Sequence, residues 1–128
     1  MMQAGFESAT LIHPSAQIGQ PVRLDEGAVV YAGNILTTNI GIGRGAQLNL
    51  ACSVSHDVKM GDFVTLSPGV RLCGGVQVGD FVTIGTNASV IPGVRVGDGA
   101  IVGAGAAVVG DVPTGVTVAG VPARELHR

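Results

Sequence analysis

The side chains able to do chemistry are few, and one pair of them stands out. His56 and Asp57 lie mid-chain in Ser53-Val-Ser-His-Asp-Val-Lys-Met60. An imidazole is the usual proton acceptor at neutral pH. A neighbouring carboxylate can orient it and favour its protonated form; Asp also commonly makes only a local turn hydrogen bond, and both readings stay open for Asp57. The other histidines, His13 before Pro14 and His127 in the tail, read as solvated surface residues near the termini. A histidine-based zinc site needs about three converging ligands. With a single histidine away from the ends, no metal is expected. Two cysteines, Cys52 and Cys73, make no disulfide framework and read as reduced thiols of a cytoplasmic protein. Neither has an evident base to make it a nucleophile.

The elements that must position His56 follow from a repeat. Every sixth residue from Ile12 through Met60 to Val108 is aliphatic, without an insertion or a gap. Four residues beyond each of these, the chain is nearly always small or branched, as at Ala46, Cys52, Val58, Val64 and Val70, with Asn34 the clearest exception. Neither a helix nor an ordinary strand repeats in six. Strands of about four residues followed by sharp corners do, and glycine often follows the aliphatic, as at Gly61, Gly79 and Gly97. A longer period of eighteen joins Met60-Gly-Asp-Phe-Val-Thr65 to Val78-Gly-Asp-Phe-Val-Thr83. Three hexads therefore make one coil with three flat faces, and Ile12 to Pro113 make about five and a half coils at about 4.8 Å each. The fold class is all-β: a triangular solenoid, or parallel β-helix.

Steps of eighteen from His56 reach Gly74, Pro92 and Gly110, so small residues leave a groove running from the histidine along the coil axis. Such a groove suits a long, thin ligand. Composition agrees with a solenoid. Aromatic residues are only 3%, glycine is 21 of 128 residues, and the core must be built from branched aliphatics. A formal charge of -2 without a basic cluster argues against nucleic-acid binding. The longest apolar stretch, around Ala100–Val109, is too short and glycine-rich to insert in a membrane.

The pattern [LIV]-G-x-x-x-x resembles that of the hexapeptide-repeat acyltransferases. Within them, residues 9–124 resemble the sialic-acid O-acetyltransferase and UDP-amino-sugar N-acetyltransferase family of bacterial glycan biosynthesis. The residues carrying this are Ala9-Thr-Leu-Ile-His-Pro-Ser-Ala16, Asn49-Leu-Ala-Cys-Ser-Val-Ser-His-Asp57, Gly61-Asp-Phe-Val-Thr-Leu-Ser-Pro-Gly69, Gly85-Thr-Asn-Ala-Ser-Val-Ile-Pro-Gly93, Gly103-Ala-Gly-Ala106 and Val118-Ala-Gly-Val-Pro-Ala-Arg124. The resemblance implies a left-handed coil, against the general preference for right-handed crossovers. It also implies a homotrimer with sites between neighbouring prisms. It makes His56 the general base, Asp57 its acidic support, Gly74 the oxyanion amide and Asn49 a residue on the acceptor side. Thr65, Gly85, Thr86, Gly103 and Ala104 fall where the family meets acetyl-CoA. Ala104 lies 48 residues beyond His56, read as about 2.7 coils or about 13 Å along the groove. Arg71, Arg95 and Arg124 are candidates for the cofactor phosphates.

The expected division is a leader over 1–10, a β-helix acyltransferase domain over 11–113 and a C-terminal cap and tail over 114–128, the register failing after Val108. Relatives carry an N-terminal Rossmann-like domain for the nucleotide-sugar, expected here to be absent or supplied by a separate acceptor-binding chain. The implied function is acetyl-CoA-dependent transfer of an acetyl group to an amine or hydroxyl of a sugar or nucleotide-sugar. The alternative is a non-catalytic trimeric β-helix scaffold that has lost its acceptor-binding domain.

Overall fold

The computed structural model describes residues 9–126. It is all-β, a left-handed parallel β-helix with a short C-terminal cap. Each hexad places one outward residue and one inward aliphatic on a strand, as in Thr65–Leu66 and Arg71–Leu72. The remaining four residues are spent turning the corner. Strands are therefore two or three residues long, shorter than the four that the hexad alone suggests. Most corners need one residue in the left-handed region. Glycine takes that place at Gly45, Gly69, Gly75 and Gly93 at little cost. Asn39, Asp57 and Asn87 do so at φ 55 to 61°, as short polar residues tolerate. Phe63 and Phe81 also hold φ near 56 and 59°, with their exposed rings stacked at a centroid distance of 5.4 Å.

Successive strands visit faces A, B and C in turn, and each pairs in parallel with the strand eighteen residues away. On face A, Thr65 and Leu66 oppose Gln47 and Leu48 on one side and Thr83 and Ile84 on the other. Face B carries Ser53–Val54, Arg71–Leu72 and Ser89–Val90, and face C carries Lys59–Met60, Gln77–Val78 and Arg95–Val96. Coil-to-coil bonds such as Ser53 N–H to Val70 O (2.9 Å) and Ser55 N–H to Leu72 O (2.9 Å) repeat along the prism. Inside, the aliphatics stack in columns with essentially no exposure, from Val30 and Leu36 to Val102 and Val108. The interior is one side chain wide on each face, which is why methyl-branched residues fill it and rings do not.

Asn34, the exception among the small inward residues, is fully buried and spends its amide on carbonyls. Its Nδ2 donates to Tyr31 O (2.9 Å), Leu48 O (3.3 Å) and Asn49 O (2.8 Å). Cys52, one coil further along the same column, is buried as its slot requires, and its thiol donates to Ser67 O (3.2 Å). Burial pushes the Cys52 pKa up, the opposite of what a nucleophile needs.

The sequence places the end of the coil at 113, whereas parallel pairing continues to Val118. The break after Val108 is a shortening by two residues: Val112 bridges Val96, and Ile101 and Val102 oppose Thr117 and Val118, at steps of 16 instead of 18. Only the corner Val109–Asp111 is cut short, and the next face resumes the register. The solenoid then stops because Arg124–Glu125 folds back antiparallel onto Val118–Ala119. That return covers an edge that would otherwise present unpaired groups. Among the described residues no helix is long and apolar enough to cross a membrane. His127 and residues 1–8 of the expected leader lie outside the described residues.

Candidate active site

His56 sits on the corner between faces B and C, fed by the strand Ser53–Val54. Neighbouring coils hold its backbone from both sides: Asp57 N–H donates to Thr38 O (3.1 Å) and Gly75 N–H donates to His56 O (2.9 Å). The two readings of Asp57 are now separable. Its carboxylate makes side-chain bonds, with Oδ2 at 2.8 Å from His56 Nδ1 and Oδ1 accepting from Asn39 Nδ2. The bond from His56, then that from Asn39, holds the Asp57 carboxyl below its ordinary value of 3.8. A carboxylate only accepts, so Nδ1 carries a proton, and in the neutral ring Nε2 then presents a lone pair.

The Cε1–Nε2 side of the ring lies against Gly74, one coil on. A Cβ at Gly74 would stand 2.5 Å from His56 Nε2 and Cε1, so only glycine leaves the ring its place. Among the described residues the Gly74 N–H has no acceptor, whereas the next amide, of Gly75, is spent on His56 O. A basic nitrogen and an uncommitted amide thus meet at one corner. The arrangement can take a proton from a nucleophile and donate a hydrogen bond to a developing oxyanion.

The other expected site residues do not share this corner. Asn49, Gly85, Thr86, Gly103 and Ala104 lie on the corner between faces A and B, and Thr65 points outward from face A. The 48 residues from His56 to Ala104 are two full coils plus two faces, so the separation is a rotation around the prism as well as a rise. The reading of one groove along the axis is corrected accordingly. Asn49 is also committed structurally, its Nδ2 donating to Leu66 O (2.9 Å) and its carbonyl accepting from Asn34. Gly85 and Gly103 make a flat strip, since a Cβ on Gly85 would meet Ala104 N at 2.5 Å and one on Gly103 would meet Ala119 Cβ at 3.0 Å.

Of the three candidate arginines, Arg71 lies on face B between the two corners, with Nη1 on Ala51 O (2.7 Å). Arg124 pairs with Ala119 beside the Gly103 strip. Arg95 is on face C, in a groove of about 470 Å³ shared with Gln77, Asp98 and Asp111 that touches none of these site residues. Among the described residues the His13 ring bonds within its own turn, to Ser15 Oγ at 2.9 Å and from the Ser15 N–H at 3.0 Å. Among the described residues no three His, Cys, Asp or Glu side chains converge as metal ligands would. The residue that reading the sequence missed is Asn39. It stands eighteen residues before Asp57, one repeat down the same column, and that step was the available signal.

Comparison with known proteins agrees with this architecture. The family model "Bacterial transferase hexapeptide (six repeats)" matches residues 75–110. A GDP-perosamine N-acetyltransferase of Escherichia coli O157:H7 is 38% identical over 130 residues, covering 97% of this chain and 58% of the relative. Perosamine N-acetyltransferase from Caulobacter crescentus, solved as a histidine mutant with CoA and GDP-perosamine, superposes with a TM-score of 0.96 at 41% identity, over 99% of this chain and 60% of that one. The acetyltransferase domain of PglB from Neisseria gonorrhoeae FA1090, solved with acetyl coenzyme A, gives a TM-score of 0.93 at 38% identity over 95% and 60%. The chain thus spans about three-fifths of the length of these relatives. With a hexapeptide period from Ile12 to Val108 and a three-faced parallel coil, the chain is similar to the bacterial hexapeptide transferases over residues 75–110 and to these N-acetyltransferases along 95–99% of its length.

Proposed function

We propose that the chain is the β-helix of an acetyl-CoA-dependent N-acetyltransferase whose acceptor is the amine of a nucleotide-linked amino sugar. The observation that carries this is His56, fixed by Asp57 at Nδ1 and presenting Nε2 beside the free amide of Gly74. The relatives' names supply the substrate class. In the reaction, the acceptor nitrogen attacks the thioester carbonyl while His56 Nε2 takes its proton. The Gly74 N–H holds the negative charge on the carbonyl oxygen. Collapse forms the amide and breaks the C–S bond, and the imidazolium returns its proton to the departing CoA thiolate. No acetyl-enzyme is formed.

The strip of Gly85, Thr86, Gly103 and Ala104, with Thr65 on the adjoining face, is the reading for the CoA arm, and Arg124 beside it is the better placed cation for the cofactor phosphates. Because this strip and His56 occupy different corners, a complete site requires the corner of one prism to face that of another. This supports a homotrimer with sites between prisms, where a pantetheine arm lies along one copy and reaches the base of the next.

Calorimetric titration with acetyl-CoA, paired with turnover on GDP-perosamine, tests the assignment. Thr86→Trp is the blocking variant, since Thr86 is exposed whereas Gly85 has backbone where its Cβ would go. His56→Ala is expected to bind acetyl-CoA normally and lose about 10²- to 10⁴-fold in kcat, and Thr86→Trp to lose binding. Full turnover by His56→Ala, or a folded protein that binds no acetyl-CoA, overturns the reading; the second result leaves the scaffold.

A further inference from the structure

We infer that Asn39 is a positioning residue for His56: its amide, reaching up from the coil below, pins one oxygen of Asp57 so that the other stays on the imidazole. This rests on the reading of His56 as the base. Asp57 and His56 are both well exposed, with 54% and 64% of their side chains accessible. Water therefore competes for every bond they make, and a carboxylate held at one oxygen is free to swing about its Cβ–Cγ bond. Held at both oxygens, it is not. The Asn39 bond thus sets the plane of the carboxylate, and with it the tautomer and direction of the ring.

The turn itself does not ask for this side chain. The corner column through Asp57 reads Asn39, Asp57, Gly75 and Gly93, each with φ between 55 and 77°. Glycine meets that backbone requirement in the upper coils. Asn39 and Asp57 are the two positions in this stretch that carry side chains, and those side chains bond to each other. Lys59, on the adjoining strand of face C, is the other charge acting on Asp57. Above lie only Gly74 and Gly75, and below lies Thr38, whose hydroxyl is committed to Gln20 O. Asn39 is the neutral donor that completes the carboxylate's shell.

The test uses two substitutions that both suit the left-handed backbone. Asn39→Gly removes the donor, and Asn39→Asp replaces it with a group that repels Asp57. Side-chain ¹⁵N spectra at about pH 9, where imidazoles are neutral, read the His56 tautomer directly, with His56→Gln identifying its signals. The wild type is expected to show the Nδ1–H tautomer, Asn39→Gly a mixture, and Asn39→Asp a larger departure. With acetyl-CoA and GDP-perosamine, kcat should fall about 10-fold in Asn39→Gly and further in Asn39→Asp. The KM for acetyl-CoA should hold, because the CoA strip is on another corner. Unchanged melting temperatures show that the fold survives. A wild-type tautomer spectrum or a wild-type kcat in Asn39→Gly overturns the inference. Failure of the underlying reading looks different: His56→Gln would keep its turnover whatever the Asn39 variants do to the spectrum.

Discussion

Gly74→Ala isolates the space that the His56 ring occupies from every other role of that glycine. The added Cβ would stand 2.5 Å from His56 Cε1 and Nε2 and 3.2 Å from Cδ2. Ordinary contact begins at 3.4 Å, so the ring must retreat by about 0.9 Å. The ring is the exposed end of a side chain and can rotate away, so the coil does not have to move. Gly74 also lacks the positive φ of Gly75, and alanine adopts its backbone without strain. The cost therefore falls on the 2.8 Å bond to Asp57 and on the direction of Nε2. A displacement of about 1 Å at a reacting group is worth about 100-fold in rate, or about 2.7 kcal/mol of barrier. Alanine keeps the N–H, so this loss does not arise from the oxyanion donor. Initial rates of CoA release with saturating acetyl-CoA and GDP-perosamine measure kcat, while thermal melting follows the fold. The expected result is a kcat about 100-fold lower with a melting temperature within about 2 °C of wild type. Wild-type kcat in Gly74→Ala would refute the geometry, and a collapsed melting temperature would refute the claim that the ring alone absorbs the clash.

Two further outcomes concern stability. Leu66 is fully buried between Leu48 and Ile84 in the face A column, so Leu66→Ala should cost about 3–5 kcal/mol. Chemical denaturation at fixed protein concentration measures it, and a loss below about 1 kcal/mol would show that the column is not close-packed. Asp57 and Asp62 both have carboxyl pKa values lowered on folding, Asp57 chiefly by His56 and Asp62 chiefly by the Arg44 backbone N–H. A lowered folded value contributes stability above the ordinary 3.8 and loses it as pH falls through the folded value. The melting-temperature advantage of wild type over Asp62→Asn should therefore be present near neutrality and disappear on acidification from about pH 5 to about pH 2; an advantage independent of pH would contradict the assignment.

Much of this protein is written in its periodicity. The aliphatic at every sixth place from Ile12 to Val108 dictates which side chains face in, because in a prism only three strands wide each inward position is enclosed by its own repeats above and below. The same count of eighteen sets Gly74 directly over His56, and the burial of Cys52 follows from its slot. The rotation around the prism was also available in that count, and treating 48 residues as height alone is what put Ala104 in line with His56. Other features depend on contacts that no local pattern encodes. Whether Asp57 would bond its own turn or the imidazole was settled by Asn39 and by the room beneath Gly74, which belong to the coils on either side. The recovery of register at Val112, after a corner two residues short, rests on pairing with Val96 from the preceding coil. Strand shortness reflects the backbone cost of turning each corner, which leaves two residues of six for the ladder. Periodicity assigns each residue to a face and a height. The rotamers at an exposed corner are chosen by neighbours eighteen residues away, and only the folded coil brings those neighbours together.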